Sequence, residues 1–440
     1  MNTYPKTLVV SINAWRDGGD SNTLLNLFRK WDNDKLSQIY IRSELPDTQV
    51  CHDFFQIPET HVIKRLLGKN IATGHHLTQD EIQEGLTQGR SVQEDEKKGL
   101  SYARSHRGWL MKIGRECVWK MGTWKSKELK QYLSDGNWDV VFCPIYPLIL
   151  MNRLQAYILK KTGLKGVAFI GDDNYSYKSG DGSAFFYIHR FFLRRSMRKV
   201  IKNCEEVFVM VPKMKREYDK ALNIDSKLLT KGIDFNNIVY TPKEVTRPIQ
   251  IYYTGKLIYG RDKSLAAIAS ALKSLNQEQV CGQLQIYTPD TLTQEQDRAL
   301  NIVDTSYVHD PVPYTELDDL LKKADVVVFA ESMEPKYRNL ARLSFSTKIT
   351  DYFKSGKCIF AVGPEDSAPI EYLQEHDAAI VATSYETIQE RLQQLIADTD
   401  IITSYSDKAF RCGRDNHDAN NVDKKMYEVL TQVAQHKNAR

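Results

Sequence analysis

The sequence has no apolar run approaching the roughly 20 residues needed to cross a bilayer, which excludes an ordinary transmembrane helix. It also has no leader pattern. The chain enters a strand-like TLVVSI at Thr7–Ile12 almost at once and then turns polar, so no signal peptide is expected. Its seven cysteines are scattered, with no C-x-x-C pair and no metal-ligand spacing. Cys143 and Cys358 fall in apolar runs, where cysteine is usually a small buried hydrophobe, and a reducing cytoplasm is the simplest compartment. There is no internal repeat and no low-complexity tract. A net charge of only +4, with no recognition module, argues against nucleic acid as a partner.

What is present is a soluble, globular composition, 42% hydrophobic and 26% charged, in 440 residues, enough for two or three domains. Strand-like and helix-like runs alternate almost throughout, which predicts an α/β architecture with parallel sheets. In the first half the strand candidates are Thr7–Ile12, Gln38–Arg42, Val140–Cys143, Val167–Ile170 and Glu206–Val211. No clear strand appears between Gly68 and Lys130, which reads as a helical insertion. A polar segment with two prolines, Thr241 to Pro248, reads as a linker, after which the alternation restarts at Ile249–Thr254. Further strands are expected at Leu284–Thr288, Val326–Ala330 and Ala378–Ala382, with a closing helical stretch from Ser384.

Four motifs carry candidate chemistry. The first in weight is SFSTKITDYFKSGKCIFAV, Ser344 to Val362. Ser346, Thr347 and Lys348 open a helix, where freed backbone N–H groups and a cation suit an anion. Asp351, one turn on, suits a ribose; the plainer reading is a capped amphipathic helix ending at Gly356. WRDGGDSN, Trp15 to Asn22, puts Gly18 and Gly19 after the first strand, either as a close approach to a ligand or as a tight turn. YYTGKLIYGRDKSL, Tyr252 to Leu265, sets Lys256, Arg261 and Lys263 beside Gly255, a grouping fit for a pyrophosphate or for a solvated loop. KLLTKGIDFNNI, Lys227 to Ile238, places a tight turn near the domain boundary.

In this order the four motifs resemble the nucleotide-sugar glycosyltransferases of the GT-B fold, particularly family 4. The glycine turn matches Gly18-Gly19, and the boundary segment matches KGIDF. The second-domain motif G-R-L-x-x-x-K becomes Gly255-Lys256, with Arg261 at the lysine position. The donor-site helix matches STKITDYFKSGK, with Asp351 at the acidic position. The resemblance implies two Rossmann-like domains facing across a cleft. Residues 1–242 would form the acceptor-side domain, with an insertion near 68–130. Residues 249–405 would bind the nucleotide sugar, and 406–440 would form a helix packing back on the first domain. The implied reaction moves a sugar from a nucleotide diphosphate to an acceptor, with retention, in surface polysaccharide or glycoconjugate assembly. Lys256 and Arg261 would hold the leaving diphosphate.

The sequence departs from the family at two places. Leu343 stands eight positions before Asp351, where relatives carry a glutamate; Glu331 and Glu334 are the candidate replacements. Where relatives carry a histidine, this loop reads FIGDDNYSY, so Asp172 and Asp173 become the candidate sugar or acceptor contacts. His75, His76 and His106 read as surface or acceptor-loop residues of the insertion. No metal and no other cofactor is expected, the nucleotide sugar being the substrate. The alternatives are a GT-like accessory subunit without chemistry and a nucleotide-sugar 2-epimerase. Lys97 to Lys130 carries ten Lys or Arg against two acids, and Phe185 to Asn203 carries six and no acid. Both suggest an anionic membrane surface as a partner, on the inner face of the plasma membrane, or else core helices with a solvated basic face.

Overall fold

The computed structural model describes residues 4–17, 23–87, 109–180, 182–236 and 238–436. Gly18, Gly19, His106 and the first part of the basic stretch from Lys97 lie outside the described residues.

Two sheets organise the chain. The first contains β1 (Thr7–Val10), β2 (Leu36–Tyr40), β3 (Asp53–Gln56), β4 (His75–Leu77), β5 (Val140–Pro144), β6 (Gly166–Ile170), β7 (Cys204–Val209) and β8 (Lys227–Leu228), in the order β4-β3-β2-β1-β5-β6-β7-β8. All neighbours are parallel except β3 and β4. β1, β2, β5 and β6 are buried at every position, as expected when helices cover both faces of a parallel sheet. The second sheet is wholly parallel, in the order β11-β10-β9-β12-β13-β14. Its strands are β9 (Ile249–Thr254), β10 (Gly282–Tyr287), β11 (Ser306–His309), β12 (Val326–Ala330), β13 (Cys358–Val362) and β14 (Ile380–Ala382).

The region from Gly68 to Lys130 is not purely helical. It carries β4, an antiparallel edge strand in which His75 and His76 pair with Gln56 and Phe55. The short strands β3, β4 and β11 escape sequence reading because three or four residues at or near a sheet edge carry no period to detect.

In each sheet the strand order reverses beside the first strand of its domain, between β1 and β5 and between β9 and β12. Such switch points open a crevice at the strand C-termini, where ligands bind in open α/β sheets. The closing stretch is three helices. Tyr385–Ala397 and Thr399–His417 pack on the second domain, and Ala419–Gln435 lies against β5, β6 and β7 of the first. The return is pinned backbone to backbone: Ile233 N–H donates to His417 C=O at 2.7 Å, and Ala419 N–H donates to Ile233 C=O at 2.9 Å. His417 is buried at this crossing, 3.0 Å from Thr230 Oγ1 and 2.9 Å from Tyr372 Oη. Burial, with a smaller contribution from His376, pushes its pKa down to about 4, so it stays neutral at physiological pH.

Candidate functional site

Between the two sheets lies a cavity of about 820 Å³, lined from both domains. The second domain supplies two helix starts to it. Helix Arg261–Leu275 begins at Gly260, whose φ of +77° admits glycine readily and whose Cα faces Ser332 and Tyr337 too closely for a Cβ. Helix Thr347–Ser355 begins at Ser346, whose hydroxyl accepts from the Lys348 N–H at 3.4 Å. Arg261, Ser346 and Thr347 all line the cavity.

Arg261 is held in a fork by Glu331, a buried residue following β12. Nη2 donates to Oε1 at 2.8 Å and Nε to Oε2 at 3.3 Å. This fixes the guanidinium plane and leaves Nη1 without a protein acceptor among the described residues. Lys348 packs behind the wall, its ammonium 4.8 Å from the centre of the Tyr253 ring. A Cβ on Gly255, which sits at φ +137°, would lie 1.8 Å from Lys348 Nζ, so the missing side chain is what admits the lysine. Among the described residues no carboxylate lies within ion-pair distance of this ammonium. Burial, then repulsion from Arg261, draws its pKa down to about 8. Asp351 is 3.3 Å from Lys231 Nζ of the first domain and accepts from Tyr314 Oη at 3.3 Å. Burial raises its pKa, and Lys231 opposes that shift.

The other candidates lie elsewhere. Lys256 is exposed and does not line the cavity; its carbonyl accepts the Tyr253 hydroxyl at 2.7 Å. Lys263 pairs with Glu295 at 3.0 Å in solvent. Glu334 accepts from Tyr385 Oη at 3.2 Å, off the cavity wall.

On the first-domain wall the paired aspartates separate. Asp172 lines the cavity and accepts the Ser344 hydroxyl at 2.9 Å across the cleft. Asp173 turns inward: Oδ1 takes the Ser176 N–H at 2.9 Å and the Tyr218 hydroxyl at 3.1 Å, and Oδ2 is buried without a partner. Asp173 therefore shapes the loop. Asn174, which no sequence motif marks out, joins the wall with its amide tied to the Ile145 carbonyl at 3.1 Å.

The domains also meet through ion pairs with no sequence signature. Arg342 forks onto Glu217 at 2.5 and 2.6 Å, which holds that carboxyl below its usual range. Lys213 reaches Glu371 at 2.7 Å. Among the described residues no group of three or more His, Cys, Asp or Glu side chains is placed to hold a metal ion.

Two parallel-dominated Rossmann-like domains with a shared cleft, and a terminal helix returning to the first domain, define the GT-B fold. No protein-family model matches the chain, and no curated protein sequence matches it. Among solved structures it is similar to HepE of Anabaena in complex with UDP and glucose, with 10% identity, a TM-score of 0.60, and 97% of this chain and 100% of that chain covered. It is also similar to sucrose-phosphate synthase of Thermosynechococcus elongatus, with 9% identity, a TM-score of 0.61, and 97% and 99% covered. WaaG, a glycosyltransferase involved in lipopolysaccharide biosynthesis, aligns at 12% identity and a TM-score of 0.56, covering 97% and 99%.

Proposed function

We propose that this chain is a nucleotide-sugar-dependent glycosyltransferase that binds the donor diphosphate on its second-domain wall and transfers the sugar to an acceptor with retention. The observation carrying this reading is the convergence of two helix N-termini and the oriented Arg261 on one cavity. Negative charge grows on the departing diphosphate as the glycosidic bond breaks. Preorganised donors and a fixed guanidinium stabilise that charge without reorganising. Lys348, with its pKa drawn down to about 8, is still mostly charged at neutral pH and would keep that charge more firmly beside the diphosphate. Asp351 would receive the ribose and exchange part of its contact with Lys231. Asp172 and Asn174 would face the sugar or the acceptor. No divalent metal is invoked, so EDTA is expected to leave turnover intact.

The likeness to HepE with bound UDP supports a nucleotide ligand, and the lipopolysaccharide role of WaaG supports a glycoconjugate acceptor. The test is a panel of nucleotide sugars assayed for release of nucleoside diphosphate. Slow release from one donor, accelerated by an acceptor glycan or lipid, is the expected result. Binding without release would instead make the chain an accessory subunit, and conversion of the donor without release would make it an epimerase.

A further inference from the structure

Helix Ala184–Ile201 has two faces with opposite roles. Its inner face, including Leu193, Met197 and Val200, is buried in the first domain. From the same side Arg190 donates to the Asp173 carbonyl at 3.1 Å and to Ser179 Oγ at 3.2 Å. Arg194 stacks on Tyr175 and Tyr177, 4.2 and 4.4 Å from the ring centres. The helix therefore holds the loop that carries Asp172 and Asn174 into the cleft.

Its outer face is apolar where solubility calls for polar residues. Tyr187, Ile188, Phe191 and Phe192 are 47, 59, 56 and 53% exposed. The i, i+1, i+4, i+5 spacing gathers them into one stripe. Single exposed apolar residues are ordinary, but a contiguous stripe of four marks an interaction surface. Beyond Phe192 the exposed positions turn basic, through Arg195, Arg198, Lys199 and Lys202, and the helix contains no acid. An apolar stripe running into a cationic one matches the interface of an anionic bilayer, with rings among the acyl boundary and cations among the headgroups.

We propose that this face docks the protein on an anionic lipid surface, partly immersed and not spanning. No described helix is long and apolar enough to cross a membrane. Docking through this helix would bring the Asp172 loop, on its inner side, close to the lipid surface. The proposal is independent of sugar transfer.

The test is co-sedimentation of the full chain with sucrose-loaded vesicles at low salt, using phosphatidylcholine alone or with about a third phosphatidylglycerol. Binding is expected only to the anionic vesicles, weakening as salt rises. F191S/F192S is expected to weaken it by roughly ten-fold or more. R195E/K199E is expected to do at least as much, since each lost basic charge near such a surface counts for roughly five-fold. All four side chains are solvent-facing, so far-UV circular dichroism and the melting temperature should match the parent and exclude misfolding. Absence of binding to anionic vesicles would overturn the proposal. So would a concentration-dependent dimer that F191S/F192S abolishes while vesicle binding persists, because the stripe would then be a self-association surface.

Discussion

The two walls of the cleft are built in opposite ways. The anion-facing part of the second-domain wall comes from two short stretches, Tyr259 to Arg261 and Ser344 to Thr347, each a loop feeding a helix start, with Glu331 and the segment from Tyr337 to Ala341 beside them. The first-domain wall is assembled from several strand-end loops, chiefly Asn13 to Arg16, Pro144 to Pro147 and the turn carrying Asp172 and Asn174, which are tied together by contacts between distant positions. An anion seat needs backbone N–H groups and nearby cations, which local sequence provides. A surface that reads a sugar or acceptor is shaped by tertiary contacts, and these leave no spacing to recognise.

The largest expected effect breaks the second-domain wall. Arg261→Met should lower kcat by roughly 10²–10³, the cost of one preorganised donor. It should also destabilise the fold by about 3–5 kcal/mol, because Glu331 is left charged and buried. The double variant Arg261→Met/Glu331→Gln should recover most of the stability and none of the turnover. Lys256→Ala sharpens the comparison, since a loss as large as that of Arg261→Met would move the leaving-group contact out to the exposed turn.

A middle-sized effect separates the paired aspartates on the other wall. Asp173→Ala strips partners from Tyr218 and the Ser176 N–H and should cost about 1–3 kcal/mol in chemical denaturation. Asp172→Ala, at an exposed position, should stay within about 0.5 kcal/mol and act on sugar or acceptor kinetics instead. Equal destabilisation by both would mean that the loop is a single structural unit.

The smallest effect is a pH slope. With Lys348 titrating at about 8 in the empty site, a bound diphosphate favours its charged form. Affinity for a nucleoside diphosphate should therefore be flat below pH 8 and fall, by up to about ten-fold per unit, as pH rises above it. Calorimetry from pH 7 to 9.5 reads this directly, and Lys348→Met should flatten the slope.

Much of the fold was legible beforehand because buried parallel strands such as Val326–Ala330 and Cys358–Val362 read as unbroken apolar runs. The short strand His75–Leu77 was not, for want of any period. In the site, the Ser346 helix start announced itself, whereas the inward turn of Asp173 follows from Tyr218, forty-five residues away. The ion pair of Arg342 with Glu217 spans 125 positions and joins two unremarkable polar residues. Lys256 and Lys263 looked equivalent to Arg261 by spacing. Only Arg261 has a buried carboxylate to aim it.

The anion seat itself is tested most directly by thermal unfolding of the full chain with a panel of nucleoside diphosphates, compared with Arg261→Met/Glu331→Gln. One base family should stabilise the parent, by about 2.7 kcal/mol at a hundred times its Kd, and the double variant should lose most of that gain. No stabilisation by any nucleoside diphosphate, or the same stabilisation in both proteins, would contradict a diphosphate site built on Arg261.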